Sequence, residues 1–456
     1  MELTGHNRPL IGRFGARLGA VLGLVGLRCF SNQIRRVGRL TPVDHPAEHS
    51  ASSRTVVAKG MIFVGVATLL GNGTAYLLSM VSARVLDPAD FGALGALLGL
   101  LVIIATLGIS TQALTARRVS TASATERKDV EGQAIRLSIF TAFAILIGAV
   151  IISWPVSVIF AIPILAVLTG VASLGFVVIG SAAMGIAQGR EEHIKLSIAF
   201  IANTACRAFG GIIGVVVFQS VTGVGFGVLI GCAVGAAIAY QLIAPKTFSP
   251  KLKDGIGIEF GHIAHALIVL FTLTNIDVLL ARVFLTEDLS GEYSVGVLLA
   301  KIAFFLPNAI IIVLFPKMSS GDSHRALYIA TALTAMVGVV ITLASVFAGD
   351  MIISILGGSQ YTDLGGEAWL FALEGSAFAL VQVLLYARLA AQDRRAVLAV
   401  WGALAVLAVI VVGWRHNSVA EIVTSVVAVS LGLTVVGFIL DRKKSGKLDL
   451  PIEAAE

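Results

Sequence analysis

Residues 83–99 read ARVLDPADFGALGALLG, and residues 281–300 read ARVFLTEDLSGEYSVGVLLA. Each stretch is a hydrophobic run ending in Ala-Arg-Val, then a short acidic turn, then a second hydrophobic run. The two copies begin 198 positions apart. What the repetition means depends on the chain around it.

Of 456 residues, 57% are apolar and 13% charged, and the mean hydropathy is +0.93. A globule of this length in water cannot bury so much apolar side chain. The apolar residues fall into nearly uncharged runs of about 20, the length of helix that crosses a bilayer. This composition describes an all-α polytopic membrane protein. Its 48 glycines suit helices that approach closely in lipid. Cys29, Cys206 and Cys232 have neither a disulfide nor a metal-binding spacing.

The runs divide into twelve spans, at roughly 58–82, 91–113, 134–154, 161–187, 194–218, 221–243, 257–284, 291–315, 325–348, 364–387, 395–413 and 418–440. Pro163 suggests that the fourth begins with a non-helical piece. The basic residues test the count independently. With a cytoplasmic N-terminus, 28 of the 33 Lys and Arg fall on inner segments and the adjoining span ends. Only Arg84, Arg282 and Arg415 fall outside, and only Arg207 and Lys301 lie within spans. This asymmetry places both termini in the cytoplasm of a multi-pass plasma (inner) membrane protein, and it accounts for the net charge of +6 without nucleic acid. The repeated phrases then mark the outer ends of spans one and seven, each with the hairpin into the next span. Six spans separate them, an even number, so two six-helix halves share one orientation about a central cleft. That is a transporter architecture.

The expected division is an N-terminal segment 1–57, an N-terminal lobe 58–243, a cytoplasmic linker 244–256, a C-terminal lobe 257–440 and a cytoplasmic tail 441–456. The first segment holds a ten-residue apolar run, Leu18–Leu27, too short to span. Its arginines suit an anionic membrane surface. A start codon placed too far upstream explains the segment equally well.

A Lys or Arg near the bilayer centre costs about 2.5–3.5 kcal/mol on insertion scales, so each needs a reason. Arg207 falls near the middle of span five and Lys301 near the middle of span eight, one deep cation per half. Asn203 shares a helix face with Arg207. Pro307 and Asn308 should open the helix two turns beyond Lys301. Asp277 and Glu374 are embedded acids, read either as neutralising partners of the two bases or as sites of H+ or Na+ coupling. The alternative to structural pairing is a cationic cavity for an anionic substrate. Arg207, Lys301 and Asn203, with Arg84 and Arg282 at the outer span ends, are the candidate substrate contacts. Gly223, Gly227, Gly231 and Gly235 form a packing stripe on span six.

Walker A, HExxH and GxSxG motifs are absent from the sequence, and no loop is long enough for a catalytic domain. The expectation is a protein that is not an enzyme and needs no cofactor.

ARVLDPADFGALGALLGL, MGIAQGREEHIKL, NIDVLLARVFLTEDLSGEY, LAKIAFFLP and VLFPKMSS, in this order along the chain, resemble the polysaccharide-exporter branch of the multidrug/oligosaccharidyl-lipid/polysaccharide exporter superfamily. The similarity runs from about Lys59 to Leu440. It implies two six-helix lobes forming a V-shaped central cavity that alternates access. It also implies a flippase moving a polyprenyl-pyrophosphate-linked saccharide to the outer leaflet, with basic cavity residues facing the anionic headgroup. Arg207 and Lys301 match that part by position. The implied partners are the lipid-linked saccharide, membrane lipids, and the glycosyltransferases and polymerase of a polysaccharide pathway. Alternatives are a peptidoglycan-precursor flippase, a cation-coupled multidrug exporter of the same superfamily, and a non-transporting scaffold. The long N-terminal segment departs from the family pattern.

Overall fold

The computed structural model describes residues 71, 73–243, 255–307, 323–390 and 395–445. The segment 1–57, most of span one, nearly all of the linker 244–256, the end of span eight and the tail from 446 lie outside the described residues. The helices are α1 (73–85), α2 (Pro88–Thr121), α3 (Arg127–Phe160), α4 (Ile164–Gly189), α5 (His193–Phe218), α6 (Val221–Ile243), α7 (Ile256–Leu273) and α8 (Ile276–Phe284). They continue as α9 (Glu287–Phe305), α10 (Ser323–Leu356), α11 (Ala368–Ala390), α12 (Arg395–Trp414) and α13 (Val419–Ser445), with a 3-10 helix at Ser359–Glu367 before α11. Among the described residues, ten helical stretches are long and apolar enough to cross a membrane.

The helix boundaries follow local chemistry. In the first copy of the repeated phrase, Asp87 caps α2 by accepting the Asp90 backbone N–H at 2.8 Å, and Pro88 occupies the first turn. Pro163 stands just before α4, so span four does begin with a non-helical piece. α9 ends at Phe305 and turns through Pro307. One expectation needs correcting: span seven is not a continuous helix. The Thr274 N–H turns back to Leu270 and Thr272, and the Asn275 side-chain amide donates to the Phe271 carbonyl at 2.9 Å. These local bonds compete with the helical ladder and split the span into α7 and α8.

The chain divides into two compact units, one ending at Ser294 and the other beginning at Val295, inside α9. In the first, α5 and α6 pack backbone to backbone. A Cβ on Gly227 would run into the Gly210 carbonyl, and one on Gly214 into that of Gly223. The stripe of span six is therefore a packing face. One end of this unit is filled by Val119, Ile135, Ile186, Leu196 and Ile243 from five helices. Arg190 closes over it, with Nε 2.7 Å from Glu131 and one terminal nitrogen 3.1 Å from the Ile243 carbonyl. The Glu131 carboxylate keeps Arg190 still more firmly protonated than a free guanidinium.

The two copies of the repeated phrase meet within the same unit. Gly92 abuts Ser290, Gly95 abuts Ser294, and Gly291 abuts the Pro88 carbonyl, so only small residues fit along the seam. Arg282 locks it. Its Nε donates to Phe160 O at 2.9 Å, and its terminal nitrogens donate to Ala161 O at 3.0 Å, Ala89 O at 3.1 Å and Ser290 Oγ at 2.9 Å. Glu287 stands 4.0 Å away. The far end of α7 is tied differently. Glu259 receives Arg117 at 2.8 Å and Arg118 at 2.8 Å, beside an apolar cluster of Leu114, Leu137 and Ile256.

These two ties differ in strength. Removing Arg282 strands several carbonyls, and the variant Arg282→Ala should lose ~2 kcal/mol or more, with Arg282→Lys restoring little because one ammonium cannot reproduce the fork. The Glu259 pairs are partly exposed, so Glu259→Gln should cost about 0.2–1 kcal/mol. Thermal unfolding of both variants in one detergent checks the ranking, and equal losses would contradict it.

Candidate functional site

α5 carries two of the candidate contacts. Ile201, Phe209, Ile213 and Val216 form an exposed apolar side of this helix. Arg207 precedes Phe209 by two residues, about 160° around the axis, and so lies on the opposite side. There its backbone touches Gly231 of α6, and its charge is within electrostatic range of the buried Cys232 thiol. Arg207 is half-buried and makes no ion pair or hydrogen bond to any described residue. Asn203, one turn earlier, is buried between Gly180 of α4 and Gly235 of α6, and its Nδ2 has no hydrogen-bond partner among the described residues. The sequence-derived polar stripe of Asn203 and Arg207 is thus a feature of the helix face turned into this unit.

Lys301 and Glu374 belong to the second unit. Gly375 of α11 meets the Ala300 backbone of α9, and one turn earlier Gly296 meets the Phe371 ring. The two registers advance together, so the helices run parallel in close contact. In parallel helices the residue after one contact point and the residue before the other point to the same side. Lys301 and Glu374 hold those two places. Glu374 is fully buried and Lys301 half-buried.

Asp277 sits in the first turn of α8 with 1% of its surface exposed, where the helix N-terminus favours a carboxylate. The adjacent Asn275 is also buried, and its Oδ1 has no hydrogen-bond partner among the described residues. The span-end arginines separate. Arg84 is exposed and donates to the Met80 carbonyl of its own helix at 3.0 Å. Arg282 departs from the role expected of it: four hydrogen bonds to protein acceptors engage its guanidinium, which makes it a clamp and not an open anion contact. Among the described residues no group of His, Cys, Asp and Glu side chains is arranged to hold a metal ion.

The Glu259–Arg117–Arg118 tie was missed by the sequence reading. Its signal was the Arg-Arg pair at the inner end of span two, which counted only toward topology.

The model of the family described as "Polysaccharide biosynthesis protein" matches residues 57–322, more than half of the chain. No curated protein sequence matches this one. Among solved structures, the chain is similar to the lipid II flippase MurJ in an inward closed conformation, with a TM-score of 0.70 at 12% identity over 84% of this chain and 87% of that one. It is also similar to an inward-facing multidrug resistance MATE family transporter of the MOP superfamily, with a TM-score of 0.69 at 13% identity over 82% of this chain and 95% of that one. A third, from Pyrococcus furiosus, is a MOP superfamily transporter described as having a binding pocket of reverse polarity, with a TM-score of 0.61 at 15% identity over 86% and 97%.

Charge at Arg207 should not be needed for the helix pairing that the glycines provide. Gly227→Val should therefore abolish the folded protein, because the Gly210 carbonyl occupies the space of the added side chain. Arg207→Met should leave a monodisperse protein of similar melting temperature. Size-exclusion profiles and thermal unfolding test the pair, and loss of folding in Arg207→Met would make that residue structural.

The fold of the described residues is the all-α polytopic one of these transporters, and the chain belongs to the polysaccharide biosynthesis protein family.

Proposed function

We propose that the protein is a flippase that carries a polyprenyl-pyrophosphate-linked oligosaccharide, or a related polysaccharide precursor, from the cytoplasmic to the outer leaflet by alternating access. The observation that carries this reading is Arg207, a cation deep in its span with no acidic partner among the described residues. Leaving a cation in hydrocarbon without a counterion is costly. A substrate that brings its own negative charge offsets that cost, and low polarity strengthens the attraction. Lys301 is the second cation at similar depth. The lipid tail of such a substrate stays in the bilayer while the diphosphate meets a base. The family description and the likeness to a lipid II flippase support the substrate class.

A cation-coupled exporter of drugs is the second reading, favoured by the buried carboxyls Asp277 and Glu374 and by the MATE-like fold. In either reading these acids are the proposed H+ or Na+ coupling residues. The proposed setting is the plasma membrane with both termini cytoplasmic, next to the glycosyltransferases and polymerase of a polysaccharide pathway.

Topology is checked by cysteine labelling in intact cells: positions 120–130, 246–253 and 442–447 should be shielded, and 285–292 and 355–362 reactive. Labelling of 246–253 from outside would break the twelve-span arrangement.

Function is checked by export at matched protein levels. Arg207→Ala and Lys301→Ala should each reduce export, Lys301→Glu should eliminate it, and Arg207→Lys should keep part of it. The decisive comparison removes Glu374 together with either base. Recovery of export in such a double variant would mean that the base only neutralised the acid.

A further inference from the structure

Two ionic clusters occupy the end of the first unit where α2 finishes and α3 begins, and they are balanced differently. In one, Arg190 and Lys195 face Glu131 and Glu192, two bases for two acids. In the other, Arg117 and Arg118 at the end of α2 share the single carboxylate of Glu259 on α7. Arg117 donates one hydrogen bond to it at 2.8 Å, and Arg118 donates two, at 3.2 and 2.8 Å. These three bonds use a minority of the N–H donors on two guanidiniums. The side chains of Arg117, Arg118 and Glu259 are 40%, 24% and 28% exposed, so an anion from outside the unit can reach them. α7 itself is lightly held. Its buried residues are Ile256, Ala264, Val269 and Leu273, Glu259 is its one acid, and the break at Thr274 and Asn275 separates its ladder from that of α8.

We propose that Arg117 and Arg118 are the entry site for the substrate's diphosphate, and that Glu259 occupies them until the headgroup displaces it. This rests on the anion-substrate reading and on the proposed orientation, which sets this end of α2 at the cytoplasmic headgroup layer. A diphosphate brings more negative charge than one carboxylate, and its oxygens suit the forks of two adjacent guanidiniums. Glu259 resists the exchange little, because partly exposed ion pairs contribute little. Once displaced, it leaves this end of α7 against α2 through the small apolar cluster of Leu114, Leu137 and Ile256. Headgroup capture and release of α7 therefore favour one another, and each must promote the other to the same extent. Arg207, on α5 of the same unit, is the deeper station for the same charge.

The test uses the full-length protein in phosphatidylcholine nanodiscs with farnesyl diphosphate as probe. Two quantities are read: probe affinity, and amide hydrogen exchange over residues 256–265. Glu259→Gln and the double variant Arg117→Gln/Arg118→Gln both break the tie, so both should raise exchange in the absence of probe. Their affinities should move in opposite directions. Glu259→Gln, which loses the competing charge, should bind about threefold to tenfold more tightly, and the arginine variant about tenfold more weakly. In the wild type the probe should itself raise exchange over 256–265. Affinities that shift in the same direction, or not at all, would make the cluster a structural tie and overturn the proposal. If the arginine variant does not fold, Glu259→Gln decides alone, since unchanged or weaker binding overturns the proposal equally. Phosphatidylglycerol in place of part of the phosphatidylcholine, without probe, should leave exchange unchanged. A rise equal to that from the probe would assign the site to bilayer lipid and overturn the proposal. Arg207→Ala separates the entry site from the reading on which it rests. If it weakens binding while the Glu259 and arginine variants leave affinity unchanged, only the entry site falls. If the wild type does not bind the probe, the anion-substrate reading falls and takes the entry site with it.

Discussion

The cost of a charge in hydrocarbon governs how every deep ionisable residue in this chain must be read. Three resolutions of that cost are visible in the described residues. Arg282 is satisfied by backbone carbonyls at two helix ends and a serine hydroxyl. Lys301 shares one side of the α9–α11 contact with Glu374, where Gly375 meets the Ala300 backbone. Arg207 has neither carbonyls nor an acid of its own. The first resolution spends the cation on packing and the second sets it on the same side of a helix contact as an acid. The third leaves it available, which is why Arg207, and not the more deeply buried Arg282, carries the substrate argument.

Glycine makes these arrangements possible. With lipid on the outside there is little hydrophobic gain in bringing two apolar helices together, so association relies on close van der Waals contact. The Gly210–Gly227 and Gly214–Gly223 contacts fix α5 against α6, and this fixes the bearing of Arg207. The Gly375–Ala300 contact does the same for Lys301 and Glu374. A side chain at any of these glycines would run into the facing backbone and push the helices apart. Charge placement in this molecule is therefore set largely by residues that carry no charge.

Much of the fold was legible in the sequence because two signals are redundant there: apolar runs give span number, and Lys and Arg placement gives their alternation. The non-helical start of span four was also legible, through Pro163. The break at Thr274 and Asn275 was not, since the run from Ile256 to Phe284 stays apolar enough to look continuous. Its signal is two side chains that bond locally, and nothing in the composition says that they will win against the helix. The partnership of Glu374 was open between two bases, because a pairing across helices depends on register, and register here follows from which glycine meets which backbone. Arg282 was misread for the same reason. The triplet Ala-Arg-Val is identical at Arg84 and Arg282, but Arg84 donates to a carbonyl of its own helix while Arg282 donates to carbonyls of other segments.

That difference between the two copies bears on how the first unit works. The segment α7–α8 is broken in the middle and fastened at both ends, so the two fastenings decide which end yields first. At the α8 end, a buried guanidinium makes four hydrogen bonds to groups on α2, α9 and the turn after α3, and the seam beside it admits only small residues. Opening there exposes several groups that water must satisfy at once. At the α7 end, a partly exposed carboxylate meets two arginines that water can solvate as soon as they part. Exposed pairs contribute at most about 1 kcal/mol each, and the apolar cluster behind them is small. No continuous helical ladder joins α7 to α8 across the break at Asn275. Breaking the contact of α7 with α2 at the Glu259 end is thus less costly than breaking that of α8 at Arg282.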